Sequence, residues 1–409
     1  MKILHTADWH LGKKLEGFSR LEEQRKVLTE ICDITEQEEV DAVCIAGDLF
    51  DTPNPSIEAL ELFYQTLKRL TNHGNRPVIG IGGNHDSPDR IEAPDPLART
   101  SGIVLVGYPH SEVKPFELDT GLKVLRSAPG FLEWKLPQYA YPLRILLTPY
   151  ANELRLRTYL GEENRAQSLR AVLAESWAKL ANSYCDDQGV NIALAHLFVS
   201  VKGEQAKVAE DEEEKSLIQV GGAQEIYSEN FPQGLQYVAL GHLHGPWILR
   251  ENPYPIAYSS SPLYYSFGDR STFKAVNVIE VEPGQKAHVK QVKLTQVLPL
   301  VQESFSSLSA ARDWLEANQN VWVEVSLETE TYLKAEERKL LLDLHPRIVR
   351  IIPKFSQPEL LRFTSGKEVN LNQDIESLFN DFFQFKKGGP PNKTLQTLFK
   401  EILQEELEE

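Results

Sequence analysis

Six short apolar runs recur along the first ~290 residues: KILHTA (2–7), DAVCIAG (41–47), PVIGIGG (77–83), RILLTPY (144–150), NIALAH (191–196) and QYVALGH (236–242). Five of them end in residues that can bind a metal ion. Asp8-x-His10 follows the first, Gly47-Asp48 the second and Asn84-His85-Asp86 the third. His196 closes the fifth, and Gly241-His242-x-His244 closes the sixth. Helical patterns at 19–39 and 56–72 lie between the early runs, and such alternation is the signature of an α/β domain. In open α/β sheets ligands bind beyond the carboxyl ends of the strands, so five polar motifs at strand ends are expected to converge on one crevice.

The spacing inside the motifs matters as well. Alternate residues of an extended segment point the same way, so Asp8 with His10, and His242 with His244, are each expected to face one site. Gly82 and Gly83 are expected to turn the chain sharply off its strand before Asn84. Taken singly, Gly-Asp is a turn, GNHD is a polar turn and His196 is a buried histidine. Taken together, Asp8, His10, Asp48, Asn84, His196, His242 and His244 are seven donors. That is too many for one tetrahedral zinc and suits two five- or six-coordinate ions. Mixed imidazole and oxygen donors favour Mn, Fe or Zn over Mg alone. Among the other histidines, His5 reads as a hydrogen-bonded core residue, and His73, His110, His288 and His345 as exposed or incidental.

Composition narrows the setting. The formal charge of -16 and pI near 5.2 disfavour passive nucleic-acid binding, so an action on DNA requires bound cations or a basic partner. No run of about 18 apolar residues appears, MKILHTADWHLG does not read as a secretory signal, and three cysteines lack metal or redox spacing. A cytoplasmic protein without a membrane span is expected. The acidic run 210–215 reads as a solvated loop.

The pattern changes after residue 290. Residues 291–355 alternate strand and helix and read as a small α+β domain, with 356–370 as a linker. In the tail, 371–409, Ile375, Leu378, Phe379, Phe382 and Phe383 fall at i, i+3, i+4, i+7 and i+8. Beyond the breaker GGPPN, Leu395, Leu398, Phe399, Ile402 and Leu403 repeat that spacing. Two amphipathic helices in a hairpin result, with a Phe-rich face that either packs on the chain's own body or docks on another protein.

The ordered motifs D-x-H, G-D, G-N-H-D, H and G-H-x-H resemble those of the calcineurin-like metallophosphoesterases. Longer strings are similar to the nuclease subunits of that family that work beside a coiled-coil ATPase in double-strand-break repair. These are ILHTADWHLGKKLEGFSRLEEQ, AGDLFDTPNPS, GGNHDSPDR, YVALGHLH and SSSPLYYSFGD. The resemblance covers residues 1–290 well and the later segments more weakly. It implies a two-sheet sandwich flanked by helices (1–290), a small capping domain (291–355) and a helical partner-binding tail (371–409).

It further implies that Asp8, His10 and His244 hold one metal, Asn84, His196 and His242 the other, and that Asp48 bridges them. His85 would be the catalytic histidine and Asp86 a supporting carboxylate. Two Mn2+-type ions are implied, with Mg2+ the alternative, and no ATP site in this chain. Some archaeal relatives carry a second histidine where Asp51 stands, so a second histidine acid is not implied. The implied activity is partner-dependent exonuclease action on double-stranded DNA and endonuclease action on single strands, in recombination, replication and repair. A homodimer within a heterotetramer is implied too. The enzymatic alternative is a small-molecule phosphodiesterase or nucleotidase of the same superfamily. Protein phosphatases of that superfamily show G-D-x-V-D-R-G, whereas this chain reads GDLFDTP. A ligand-poor scaffold is the non-enzymatic alternative, and all seven donors argue against it.

Overall fold

Successive side chains of a strand face opposite sides of its sheet, and here that alternation builds two different layers. Ile3, Cys44, Ile79 and Val104 enter one apolar cluster, while their neighbours Leu4, Val43, Val78 and Ile103 enter another. The computed structural model describes residues 1–161, 164–203, 225–269, 273–329 and 333–355, with residues 379, 380, 383, 391, 392, 395, 396, 398 and 399 of the tail.

The first sheet runs in the order His288–Lys293, Ala275–Glu280, Lys2–Thr6, Ala42–Ile45, Val78–Ile81 and Ile103–Val106. Its last four strands are parallel. The second sheet has the order Ile248–Arg250, Ile256–Tyr258, Tyr237–Gly241, Val190–His196, Leu143–Thr148, Phe131–Lys135 and Lys123–Ala128. Its central four strands, Ile256–Tyr258 to Leu143–Thr148, are parallel.

Ile145, Ile192 and Ala239 of the second sheet join Ile3 and Cys44 of the first in the core between the sheets. The outer face of the first sheet packs on the helices Leu21–Gln37 and Ile57–Leu70 through Val27, Leu28, Leu62 and Phe63. The outer face of the second packs on the helix Arg165–Tyr184 through Leu169, Leu173 and Trp177. The result is the expected two-sheet α/β sandwich flanked by helices. Strands buried on both faces read as unbroken apolar runs, which is why six of them stand out in the sequence.

His5 lies inside this core, with Nδ1 2.9 Å from the Tyr237 hydroxyl and Nε2 3.1 Å from the Leu240 carbonyl. Burial lowers its pKa to about 3, so it is neutral.

The chain divides into two compact units. The first comprises Met1–Gln302, Asn318–Glu324 and Arg347–Arg350. The second comprises Glu303–Ala317, Val325–Pro346 and the chain from Ile351 onward. From residue 300 the elements alternate as strand Leu300–Phe305, helix Leu308–Ala317, strand Trp322–Thr329, helix Ala335–Leu344 and strand Ile348–Phe355. The expectation for His345 is corrected: it is fully buried. Its N–H bonds the Leu341 carbonyl at 3.1 Å and closes the last turn of its helix.

In the tail, the Phe379 and Phe399 rings stack with centroids 4.0 Å apart, and Phe383 lies 6.0 Å from Phe379. Leu395 and Leu398 are exposed. Ile375, Leu378, Phe382, Ile402 and Leu403, the 356–370 segment and the 210–215 run lie outside the described residues. Among the described residues no helix is long and apolar enough to cross a membrane.

Candidate metal centre

The carboxyl ends of the two sets of parallel strands meet along one edge of the sandwich. Two loops of the first sheet run side by side there. Asp8 N–H bonds the Gly47 carbonyl at 3.0 Å, and His10 N–H bonds the Asp48 carbonyl at 2.9 Å. The second sheet joins them where His242 N–H donates to Asp8 Oδ1 at 2.9 Å.

The D-x-H spacing works by a different geometry from the expected extended one. Asp8, His10, Asp48 and His242 all have positive φ, at 54°, 42°, 46° and 107°. Non-glycine residues in that region cost roughly 1–3 kcal/mol each and cluster at functional sites. The paired loops hold Asp8 and His10 in tight coils, and these bring the two side chains together.

All seven expected donors meet. Asn84 Oδ1 lies 2.9 Å from both His196 Nε2 and His242 Nδ1. His10 Nε2 lies 3.2 Å from His244 Nε2. Asp48 Oδ2 stands 3.6 Å from His10 Nε2 and 3.4 Å from His196 Nε2. Ligand atoms of Asp8, His10 and His244 fall within 4.8 Å of one another, as do those of Asp8, Asp48 and His196.

This donor set fits metal ions on two observations. Two donors about 2.1 Å from one ion and at right angles to each other lie ~3 Å apart, which matches the Asn84–His196, Asn84–His242 and His10–His244 separations. The second observation is charge. Asp8 and Asp48 are both buried, and buried carboxylates require a compensating cation. Burial lowers the His196 pKa, but Asp48 and Asp8 outweigh it and push it up to about 9. Burial likewise raises the Asp48 carboxyl, and the His196 charge more than reverses that, holding it well below the usual range. His10, His242 and His244 are pushed down by burial and stay neutral, as metal-binding imidazoles must. His196 Nδ1 sits 2.8 Å from the Ala46 carbonyl, which commits Nε2 to the cluster.

His85 and Asp86 stand beside these donors in different roles. His85 N–H donates to Asp48 Oδ1 at 2.9 Å, and its ring centroid is 4.8 Å from that of His10. Its Nδ1 is 2.9 Å from the Asp51 carbonyl, an acceptor only, so Nδ1 carries the proton. Among the described residues the carboxylate of Asp86 makes no hydrogen bond or ion pair with an imidazole. It accepts N–H bonds from Gly83 (2.8 Å), Leu49 (3.0 Å) and Phe50 (3.0 Å), stitching the Asp48 loop to its own. Gly82 and Gly83 are not at positive φ. A Cβ on Gly83 would collide with the Asp48 carboxylate and amide, so that glycine is required by close approach.

Three further residues hold donors through the main chain. Gln24 Nε2 donates to the carbonyls of Trp9 (3.3 Å) and His10 (2.8 Å). The Tyr265 hydroxyl also donates to the Trp9 carbonyl. Lys274 Nζ donates to the His244 carbonyl at 2.9 Å and pairs with Asp269. Gln24 and Tyr265 lie inside the strings SRLEEQ and SSSPLYYSFGD, the one sequence signal that could have found them.

The calcineurin-like phosphoesterase family matches residues 1–246. The chain is 36% identical to the SbcD component of nuclease SbcCD from Bacillus subtilis (strain 168), over 98% of this chain and 97% of that protein. It is 32% identical to the SbcD component from Rhodobacter capsulatus over 74% and 71%, and 27% identical to that from Staphylococcus epidermidis over 86% and 85%. The chain therefore belongs to the calcineurin-like phosphoesterases and, within them, to the SbcD nucleases, metal-dependent enzymes that cleave phosphodiesters.

Proposed function

We propose that the chain is an SbcD-type DNA nuclease. Joined to an SbcC-like coiled-coil ATPase, it digests double-stranded DNA as an exonuclease and cuts single strands as an endonuclease, in DNA end processing, recombination, replication and repair. The observation that carries the reading is the meeting of seven metal donors with a tautomer-fixed His85 at one strand-end crevice.

Asp8, His10 and His244 would hold one divalent ion, Asn84, His196 and His242 a second, with Asp48 shared. Four imidazoles among seven donors favour Mn2+ over Mg2+. When bound, such ions supply Lewis acidity and a water that ionises near neutral pH. The chain's own residues do the rest. Asp86 ties the Leu49 and Phe50 N–H groups, just after Asp48, to that of Gly83. With Nδ1–H committed to Asp51, the bare Nε2 of His85 is the atom that takes up a proton and delivers it to the departing oxygen.

The net charge of -16 favours the metals and the partner as the source of positive charge for DNA binding. ATP hydrolysis belongs to that partner. The Phe-rich tail is the docking element for its coiled coil, within a cytoplasmic heterotetramer built on a dimer of this chain. Mn2+-dependent cleavage of linear DNA, abolished by chelation, is the expected result. Hydrolysis of bis-p-nitrophenyl phosphate without DNA cleavage, even with the ATPase present, would overturn it in favour of a small-molecule phosphodiesterase.

A further inference from the structure

Arg155 is nine-tenths buried, yet among the described residues no carboxylate lies within ion-pair distance of it. Its guanidinium is directed instead at main-chain carbonyls. Nη1 donates to Gly83 O at 2.7 Å, and Nη2 donates to Asp86 O at 2.8 Å and approaches Asn84 O at 3.5 Å. The Cζ atom lies 5.2 Å from the ring of Tyr150, whose own N–H bonds the Gly82 carbonyl at 2.9 Å. The arginine is presented by a turn fixed at Asn152, whose Oδ1 accepts the Arg155 N–H at 2.9 Å.

Asp86 and Arg155 thus divide the loop's polar backbone between them. The carboxylate accepts N–H groups and the guanidinium donates to carbonyls, including those of Asn84 and Asp86 on either side of His85. The Asn84 carbonyl belongs to the peptide that enters His85, whose N–H is held by Asp48 Oδ1 at 2.9 Å, and the Asp86 carbonyl lies one peptide beyond His85, so the segment that carries its Cα–Cβ bond is held on both sides while the Asp51 carbonyl fixes its ring. The planar fork of arginine suits two carbonyls at once, and lysine, a single point charge, does not.

We infer that Arg155 is a positioning residue that aims His85 at the departing oxygen. This rests on the reading of His85 as the proton carrier. A misplacement of about 1 Å can cost on the order of 10²-fold in rate.

The test exploits the leaving group. DNA releases an alkoxide that needs a proton, whereas p-nitrophenolate departs without one. Arg155→Gln is expected to lower kcat on single-stranded DNA by about 10–100-fold with KM nearly unchanged. It should leave bis-p-nitrophenyl phosphate hydrolysis and the number of bound Mn2+ ions at wild-type levels, and Arg155→Lys should recover part of the loss. In a His85→Ala background, Arg155→Gln should cost nothing further. Equal losses on both substrates, a loss of bound Mn2+, or the same fold-loss with and without His85 would each overturn the inference, as would wild-type DNA cleavage. If Arg155→Gln does not fold, Arg155→Lys is read against the same outcomes. Wild-type DNA cleavage by His85→Ala alone would instead sink the reading of His85 itself.

Discussion

His10 and His244 bring their Nε2 atoms within 3.2 Å of each other across 234 residues of sequence, the first buried and the second half-buried, and desolvation lowers the pKa of both. Two imidazoles in this arrangement gain little from one another and much from a shared cation. His244→Ala is therefore expected to remove one of two equivalents of bound Mn2+, measured by metal analysis after gel filtration. In the intact chain, Mn2+ at about 100 times its Kd should add ~2.7 kcal/mol of stability. An unchanged unfolding midpoint in Mn2+ against chelator would contradict the metal assignment.

The two glycines before Asn84 should behave differently. A methyl on Gly83 would enter the space of the Asp48 carboxylate, while one on Gly82 meets its nearest atom, the Gly107 Cα, at 3.4 Å, an ordinary contact. Gly83→Ala is expected to cost about 1–3 kcal/mol and to weaken metal binding. Gly82→Ala should stay within roughly 0.5 kcal/mol of wild type. Urea unfolding and metal titration of the pair check this, and equal behaviour would contradict it.

Away from the site, Glu133 bonds Arg126 at 2.9 Å and Arg144 at 2.8 Å, and Arg144 continues to Asp186 at 2.6 Å. Burial raises the Glu133 carboxyl, but the two arginines outweigh it and leave the pKa below its ordinary value. A depressed carboxylate pKa stabilises the fold above its unfolded value of about 4.3 and loses that contribution as pH falls through the folded value. Glu133→Gln should cost ~3 kcal/mol at pH 7 and flatten the decline in stability below pH 4.3. Unfolding curves recorded from pH 3 to 7 that stay parallel to wild type would contradict the assignment.

What the sequence reveals follows the same physics. The central parallel strands are buried on both faces, so they read as apolar runs, and their last residues mark the crevice. Lys123–Ala128 and His288–Lys293 are edge strands with polar or half-exposed positions and give no such signal. The types of the seven candidate donors were legible, but their geometry was not. Asp8 and His10 converge through left-handed backbone, a property of the paired loops and not of the D-x-H spacing. Gln24 and Arg155 act on main-chain carbonyls, which every residue carries, so no side-chain pattern points to their partners.

The tail offers a prediction separate from the chemistry. Phe379 and Phe399 stack on each other, while Leu395 and Leu398 stay exposed. Deleting 371–409 should abolish co-purification with a coiled-coil ATPase and spare cleavage of single strands. A truncated chain that still binds the ATPase would contradict the docking assignment.

His85 is the proposed proton carrier beside the candidate metal donors. The most direct measurement is DNA cleavage by His85→Ala together with its metal content. The expected result is a rate lower by about 10²–10⁴-fold with both Mn2+ equivalents retained. A rate at the wild-type level, or the loss of a metal equivalent along with activity, would contradict it.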